Sequence, residues 1–191
     1  MPATLERVTG LGARGTISLP SNVPIKPFSD PEKTTPLGML RYAIEFYAAG
    51  LVTDDALGYE HGYEVIAPIT VNYLIGHAIE LGLKAYLLHV GFSLDHIRYE
   101  IGHDLQKGFD RAMAKGLNKQ LKSEDGDSGV LRVMNALYSS KQFEYIETGA
   151  KTFPVFGSLQ SFAKRVLLSV AQSIEDGSRL LSSKAGEILL K

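Results

Sequence analysis

The rhythm of apolar residues changes at about position 36. From "TTPLGMLRYAIEFYAAGLV" onward it is helical, and Leu37, Leu40, Ile44, Tyr47 and Leu51 share one stripe. Thr35 is placed to cap this first helix, with Pro36 in its first turn. A polar connection, "DDALGYEHGY", follows. The next apolar run predicts a second helix from about Val65 to Val90, ending at Gly91, a residue suited to a left-handed C-terminal position. That helix is apolar almost all round, which predicts the most buried place in the fold. "SLDHIRYEIG" reads as a short helix capped by Ser93 or Asp95, and Gly102 breaks the chain. Asp104 then caps a helix whose Leu105, Phe109, Ala112 and Met113 face inward and which Gly116 ends.

"NKQLKSEDGDSG" is the longest polar run and reads as a mobile loop, before a further helix in "VLRVMNALYSS". "FEYIETGAKTFPVF" alternates aromatic and polar residues around Gly149, which predicts a short hairpin or extended excursion. A last helix is expected from Ser158 to about Ser183, with Leu159, Phe162, Val166, Val170, Ile174 and Leu180 or Leu181 on its apolar face. The predicted fold class is all-α, an antiparallel arrangement of about five helices over residues 36–191.

Residues 1–35 are different in kind. Together with Pro36 they hold six of the chain's 8 prolines, and proline fixes φ and removes a hydrogen-bond donor, so an extended arm is expected. "GLGARG" in this arm spells a dinucleotide-binding fingerprint. The fingerprint works only between a buried strand and a helix, and the neighbouring sequence offers neither.

Composition narrows the function classes. The 191 residues are 45% hydrophobic, enough for one sizeable core, and carry 20 basic against 21 acidic side chains. A non-specific nucleic-acid binder draws most of its affinity from a basic excess, and none exists here. There is no cysteine, which excludes disulfides and thiolate chemistry and fits a reducing cytoplasm. The beginning of the chain lacks the layout of a signal peptide. The most apolar stretch contains Asn72, His77, Glu80, Lys84 and His89, which a bilayer core tolerates poorly, so a buried helix is expected and not a membrane span.

Two features carry candidate chemistry. Tyr73, His77, Glu80 and Lys84 fall four, three and four residues apart, on one face of the second helix. They form either a solvent-facing strip with a weak Glu80–Lys84 pair or a polar seam lining a site. Arg98 and His103 stand in "IRYEIGHDL". One reading makes them a pair acting on a phosphate. The other makes Arg98 the neutraliser of a helix C-terminus and His103 part of the next helix's cap. His61, His89 and His96 have no pairing at metal-ligand spacing, and His77 with Glu80 makes only half of a zinc motif, so no metal or other cofactor is expected. Tyr145 is a residue to stack on a base or, more simply, to pack.

The run from His77 to Leu117, "HAIELGLKAYLLHVGFS…GHDLQKGFDRAMAKGL", resembles the HEPN superfamily (higher eukaryotes and prokaryotes nucleotide-binding domains), with "FEYIETGAKTFP" at the place of an aromatic excursion found in some of its members. The resemblance covers about half the chain. It implies a helical domain and, in many branches, a metal-independent ribonuclease with an R-x(4–6)-H motif, two copies of which meet in a homodimer. Arg98 and His103 match that spacing, although Tyr99 stands where active members usually carry a polar residue. The residue types suit the chemistry, since a histidine moves protons near neutral pH and an arginine holds a phosphate in bidentate fashion. The expected role is that of a toxin–antitoxin or phage-defence ribonuclease acting on RNA, with an antitoxin or nucleotidyltransferase as partner. Glu80, Lys84, His77 and Tyr145 would support the site. The alternative is a non-catalytic module that binds a nucleotide, RNA or a protein.

Overall fold

The computed structural model of the chain describes residues 33–58, 67–143, 145 and 151–191. The proline-rich arm through residue 32, with its glycine fingerprint, and His61 lie outside the described residues, as does most of the predicted hairpin. Every regular element among the described residues is helical, so the fold class is all-α.

Helix α1 spans Pro36–Leu57, and Thr35 caps it as expected, its Oγ1 accepting from the Gly38 amide at 3.0 Å. Helix α2 spans Ile69–His89. It starts after Pro68, where the Asn72 side-chain amide donates to the carbonyls of Ala67 (2.8 Å) and Pro68 (3.2 Å) and so holds the incoming chain. Gly91, at φ 95°, closes it in the left-handed region as the sequence predicted. A short α3, Leu94–His96, is capped by Ser93 and runs directly into a π-helical turn, Ile97–Ile101. Helix α4, Leu105–Ala114, follows, with Asp104 as N-cap. Helix α5 covers Asp127–Tyr138 and α6 covers Phe156–Ser173. A 3₁₀ segment, Gly177–Ser182, and a short α7, Lys184–Leu190, complete the chain.

Helix α2 is central, as its all-round apolar surface requires. It packs on α1 and α6 and touches α4, α5 and the π turn. Val71, Ile75, Ala78, Ile79, Leu83, Ala85 and Leu87 are almost fully enclosed. Each buried Ile, Leu or Val contributes roughly 1.5–3 kcal/mol over leaving it in water. Partners on α1 (Leu40, Ile44, Tyr47) and α6 (Leu159, Phe162, Val166, Val170) complete one core.

Two expectations need correction. The last helix does not continue to Ser183. It ends at Ser173, Ile174 turns extended, and Asp176 takes φ 60°. Gly177 then lies so close to α6 that a Cβ there would meet the Ala171 carbonyl oxygen at 2.4 Å. The fold-back keeps Ile174 buried and brings Leu180 and Leu181 against the core from a separate segment. The polar run after Leu117 is also more than a loop. Leu117–Lys119 form a 3₁₀ turn, Leu121 is buried, and Asp127 opens α5. Residues 151–155, the end of the predicted excursion, form no regular element. Among the described residues no helix is long and apolar enough to cross a membrane.

Candidate functional site

The site is built on one carboxylate. Glu80 sits midway along α2, on its polar line, yet is only 4% exposed, because α4, α5 and the π turn close over that face. A buried carboxylate must be satisfied by donors, and here four side chains reach it. Oε1 accepts from Lys84 Nζ, one turn along α2, and is 3.1 Å from Nδ1 of His103. Oε2 accepts from the Tyr138 hydroxyl at 2.5 Å and lies 3.3 Å from Nδ1 of His77. The Tyr138 hydroxyl is in turn 2.7 Å from the same His77 nitrogen. Burial by itself pushes the Glu80 carboxyl up. The donors His77, Lys84 and Tyr138 outweigh it and hold the group down at about 2, so the carboxylate is ionised at neutral pH.

Local sequence explains how these residues meet. Gly76 allows α5 to approach α2 closely, since a Cβ at that position would meet Met134 Cε at 2.4 Å and Tyr138 Cδ2 at 3.0 Å. His103 is delivered by the π turn. The amide of Gly102 reaches back to the Ile97 carbonyl at 3.0 Å, and Gly102 adopts φ 57° and ψ −124°, a conformation open to glycine and strained for other residues. The chain re-enters helix at once. Asp104 Oδ1 caps Lys107 at 2.9 Å, and Asn135 of α5 accepts from the Leu105 amide at 2.7 Å and donates to Asp104 Oδ1 at 3.1 Å. Asn135 and Tyr138, one turn apart on α5, thus pin the His103 turn and the Glu80 carboxylate from the same face.

The polar line is therefore a seam with a buried centre at Glu80 and partly buried flanks, and not a solvent-facing strip. His77, Glu80 and Lys84 join His103 in one cluster. Tyr73 stacks on the His77 ring with centroids 6.0 Å apart, and Phe46 meets that ring edge-on at 4.6 Å. His103 does not belong to the cap of α4; its side chain turns to Glu80 and remains 49% exposed. Arg98 stays apart from the cluster. It is exposed on the π turn, its guanidinium 5.5 Å from the centroid of the Tyr99 ring. Tyr145 is 67% exposed and does not pack as the simpler reading had it. His96 pairs with Glu100 at 3.2 Å. No group of three or more His, Asp or Glu side chains among the described residues is placed to hold a metal ion. The imidazoles of the cluster bond to the carboxylate and do not converge beside it.

The void next to Glu80 is about 10 Å³, room for at most one water. A larger cavity of about 470 Å³ lies elsewhere, between the starts of α5 and α6. There Arg165 pairs with Glu124 at 2.8 Å and with Asp127. Its acidic and basic side chains largely neutralise each other, so the chemistry of interest stays with the half-exposed imidazole at Glu80. Comparison with known proteins returned no matching family model, no matching curated protein and no matching solved structure.

Proposed function

We propose that this chain is a HEPN-like protein whose helices form an antiparallel bundle and which cleaves RNA without a metal, as a homodimer, in a cytoplasmic toxin–antitoxin or phage-defence setting. One observation carries the reading: His103 gives Nδ1 to an ionised, buried Glu80 while half of its side chain faces solvent. A carboxylate behind an imidazole fixes its tautomer and stabilises the imidazolium that forms on taking a proton. His103 Nε2 then removes the 2′-hydroxyl proton of the RNA. The 2′-oxygen attacks phosphorus, the bond to the 5′-oxygen breaks as that oxygen takes a proton from water, and a 2′,3′-cyclic phosphate results; the proton held on His103 returns to solvent. Arg98, exposed on its turn, binds the phosphate oxygens as negative charge grows on them. An antitoxin or nucleotidyltransferase is the partner this role calls for.

A second reading has its own support. Arg98 lies against Tyr99 and not beside His103, and an exposed arginine–tyrosine pair suits the binding of a base and its phosphate without catalysis. The two readings part in a cleavage assay. Parent, Arg98→Ala and His103→Ala proteins are incubated with structured and single-stranded RNA in the presence of a chelator. The catalytic reading expects cleavage by the parent and a loss of about 10²- to 10⁴-fold in each variant, with folding unchanged by circular dichroism. Cleavage that persists in both variants overturns it. RNA bound but left intact by the parent selects the binding module.

A further inference from the structure

The hydrogen bonds at Glu80 fix where the protons lie, and that placement assigns a role to a residue the proposed mechanism leaves idle. An ionised carboxylate only accepts. The contact of 3.1 Å from His103 Nδ1 to Oε1 therefore requires a proton on that nitrogen. The 2.5 Å contact between Tyr138 and Oε2 is made by the single hydroxyl proton, so the 2.7 Å contact between the tyrosine oxygen and His77 Nδ1 is made by a proton on that nitrogen. His77 Nδ1 is thus protonated too. In its neutral form each imidazole carries its proton on Nδ1 and keeps the lone pair on Nε2. Solvent-exposed histidines have no such partner to dictate the choice.

We infer that Glu80 serves two imidazoles at once, directly for His103 and both directly and through Tyr138 for His77, and that His77 is a second proton-accepting residue of the same site within one protomer. Its side chain is 24% exposed, between the rings of Phe46 and Tyr73. The tautomer part of this inference stands on the hydrogen bonds alone; the role in turnover rests on the ribonuclease reading.

Imidazole nitrogen NMR on the full chain tests the first part without RNA. Both His77 and His103 are expected as Nδ1–H tautomers in the parent. Glu80→Gln makes a sharper demand. Lys84 and His103 still need an acceptor, so the amide oxygen takes the Oε1 place and the amide NH₂ faces Tyr138. The amide NH₂ then donates towards the two groups that met Oε2, Tyr138 and His77 Nδ1, which inverts His77 to Nε2–H and leaves His103 unchanged. An Nε2–H tautomer at either residue in the parent overturns the inference, whether or not the glutamine variant folds. So does a folded Glu80→Gln protein in which His77 fails to invert. The second part is read in cleavage. His77→Phe, which keeps the aromatic packing, should lower kcat roughly 10-fold or more with KM little changed. Full kcat in His77→Phe, alongside a parent that cleaves, removes His77 from turnover. A parent that cleaves nothing removes the ribonuclease reading and His77's role in turnover with it, while the tautomers decide the rest.

Discussion

At the scale of single residues the decisive one is Glu80. An exposed glutamate–lysine pair one turn apart on a helix is worth a few tenths of a kcal/mol. Glu80 is nearly enclosed, and removing it strands Lys84, Tyr138 and two imidazoles around a vacated site. Glu80→Ala should therefore lower the unfolding free energy by roughly 3–5 kcal/mol, the range for breaking a buried pair from one side. Denaturant titration checks this; a midpoint equal to the parent's would return the seam to ordinary surface. The same residue sets an acid limit. Its carboxyl titrates at about 2 in the folded chain against the ordinary 4.5. A group depressed on folding stabilises above its unfolded value, and that stability is lost as pH falls. Between pH 4.5 and 2 the parent should lose on the order of 3 kcal/mol that Glu80→Gln does not lose. Parallel slopes for the two proteins over that window would contradict the assignment.

Among the helical elements, the contact between α2 and α5 matters most, because it brings Tyr138 to Glu80. It depends on Gly76. Alanine there has the better helix propensity by about 1 kcal/mol, but its Cβ would press on Met134 and on the less yielding ring of Tyr138. Overpacking of this kind costs about 1–3 kcal/mol, so Gly76→Ala should be neutral to destabilising in thermal unfolding. It should also displace the Tyr138 ring, seen as a change in its aromatic NMR signals. A clearly raised Tm with unmoved ring signals would show that α5 is not held so closely. The fold-back after α6 belongs to this scale as well. Its signal was present in the sequence, since Glu175, Asp176, Gly177 and Ser178 make a turn-forming run. The apolar period continued through Ile174 to Leu180 and Leu181 and outweighed it. Both segments do bury their apolar residues, but as two elements and not one.

For the whole molecule, the proposed homodimer should give a light-scattering mass of twice 20.8 kDa at micromolar concentration. A monomer mass would leave His103 to work within one chain, where His77 is its neighbour on the same carboxylate.

The chain's own pattern determined the helical class, the Thr35 and Asp104 caps, the stop at Gly91 and the central place of α2, and it narrowed the α3 cap to Ser93 or Asp95, of which the structure uses Ser93. These are local matters: side-chain period and backbone preference act over a few residues, so they can be read along the chain. The pattern also put His77, Glu80 and Lys84 on one face. Whether that face met water or protein depended on what covered it, and the covering residues, His103 and Tyr138, lie 23 and 58 positions away from Glu80. Nothing in the sequence marks Tyr138, because a tyrosine within an apolar helix reads as packing, or Asn135, because an isolated asparagine reads as surface. The place of Arg98 was likewise undecidable from spacing, since the four residues between it and His103 include the end of a π turn and the sharp change of direction at Gly102, at φ 57°. Only tertiary packing chose which helix closed on the seam, and with that choice turned a pair of surface charges into a buried carboxylate holding two histidines.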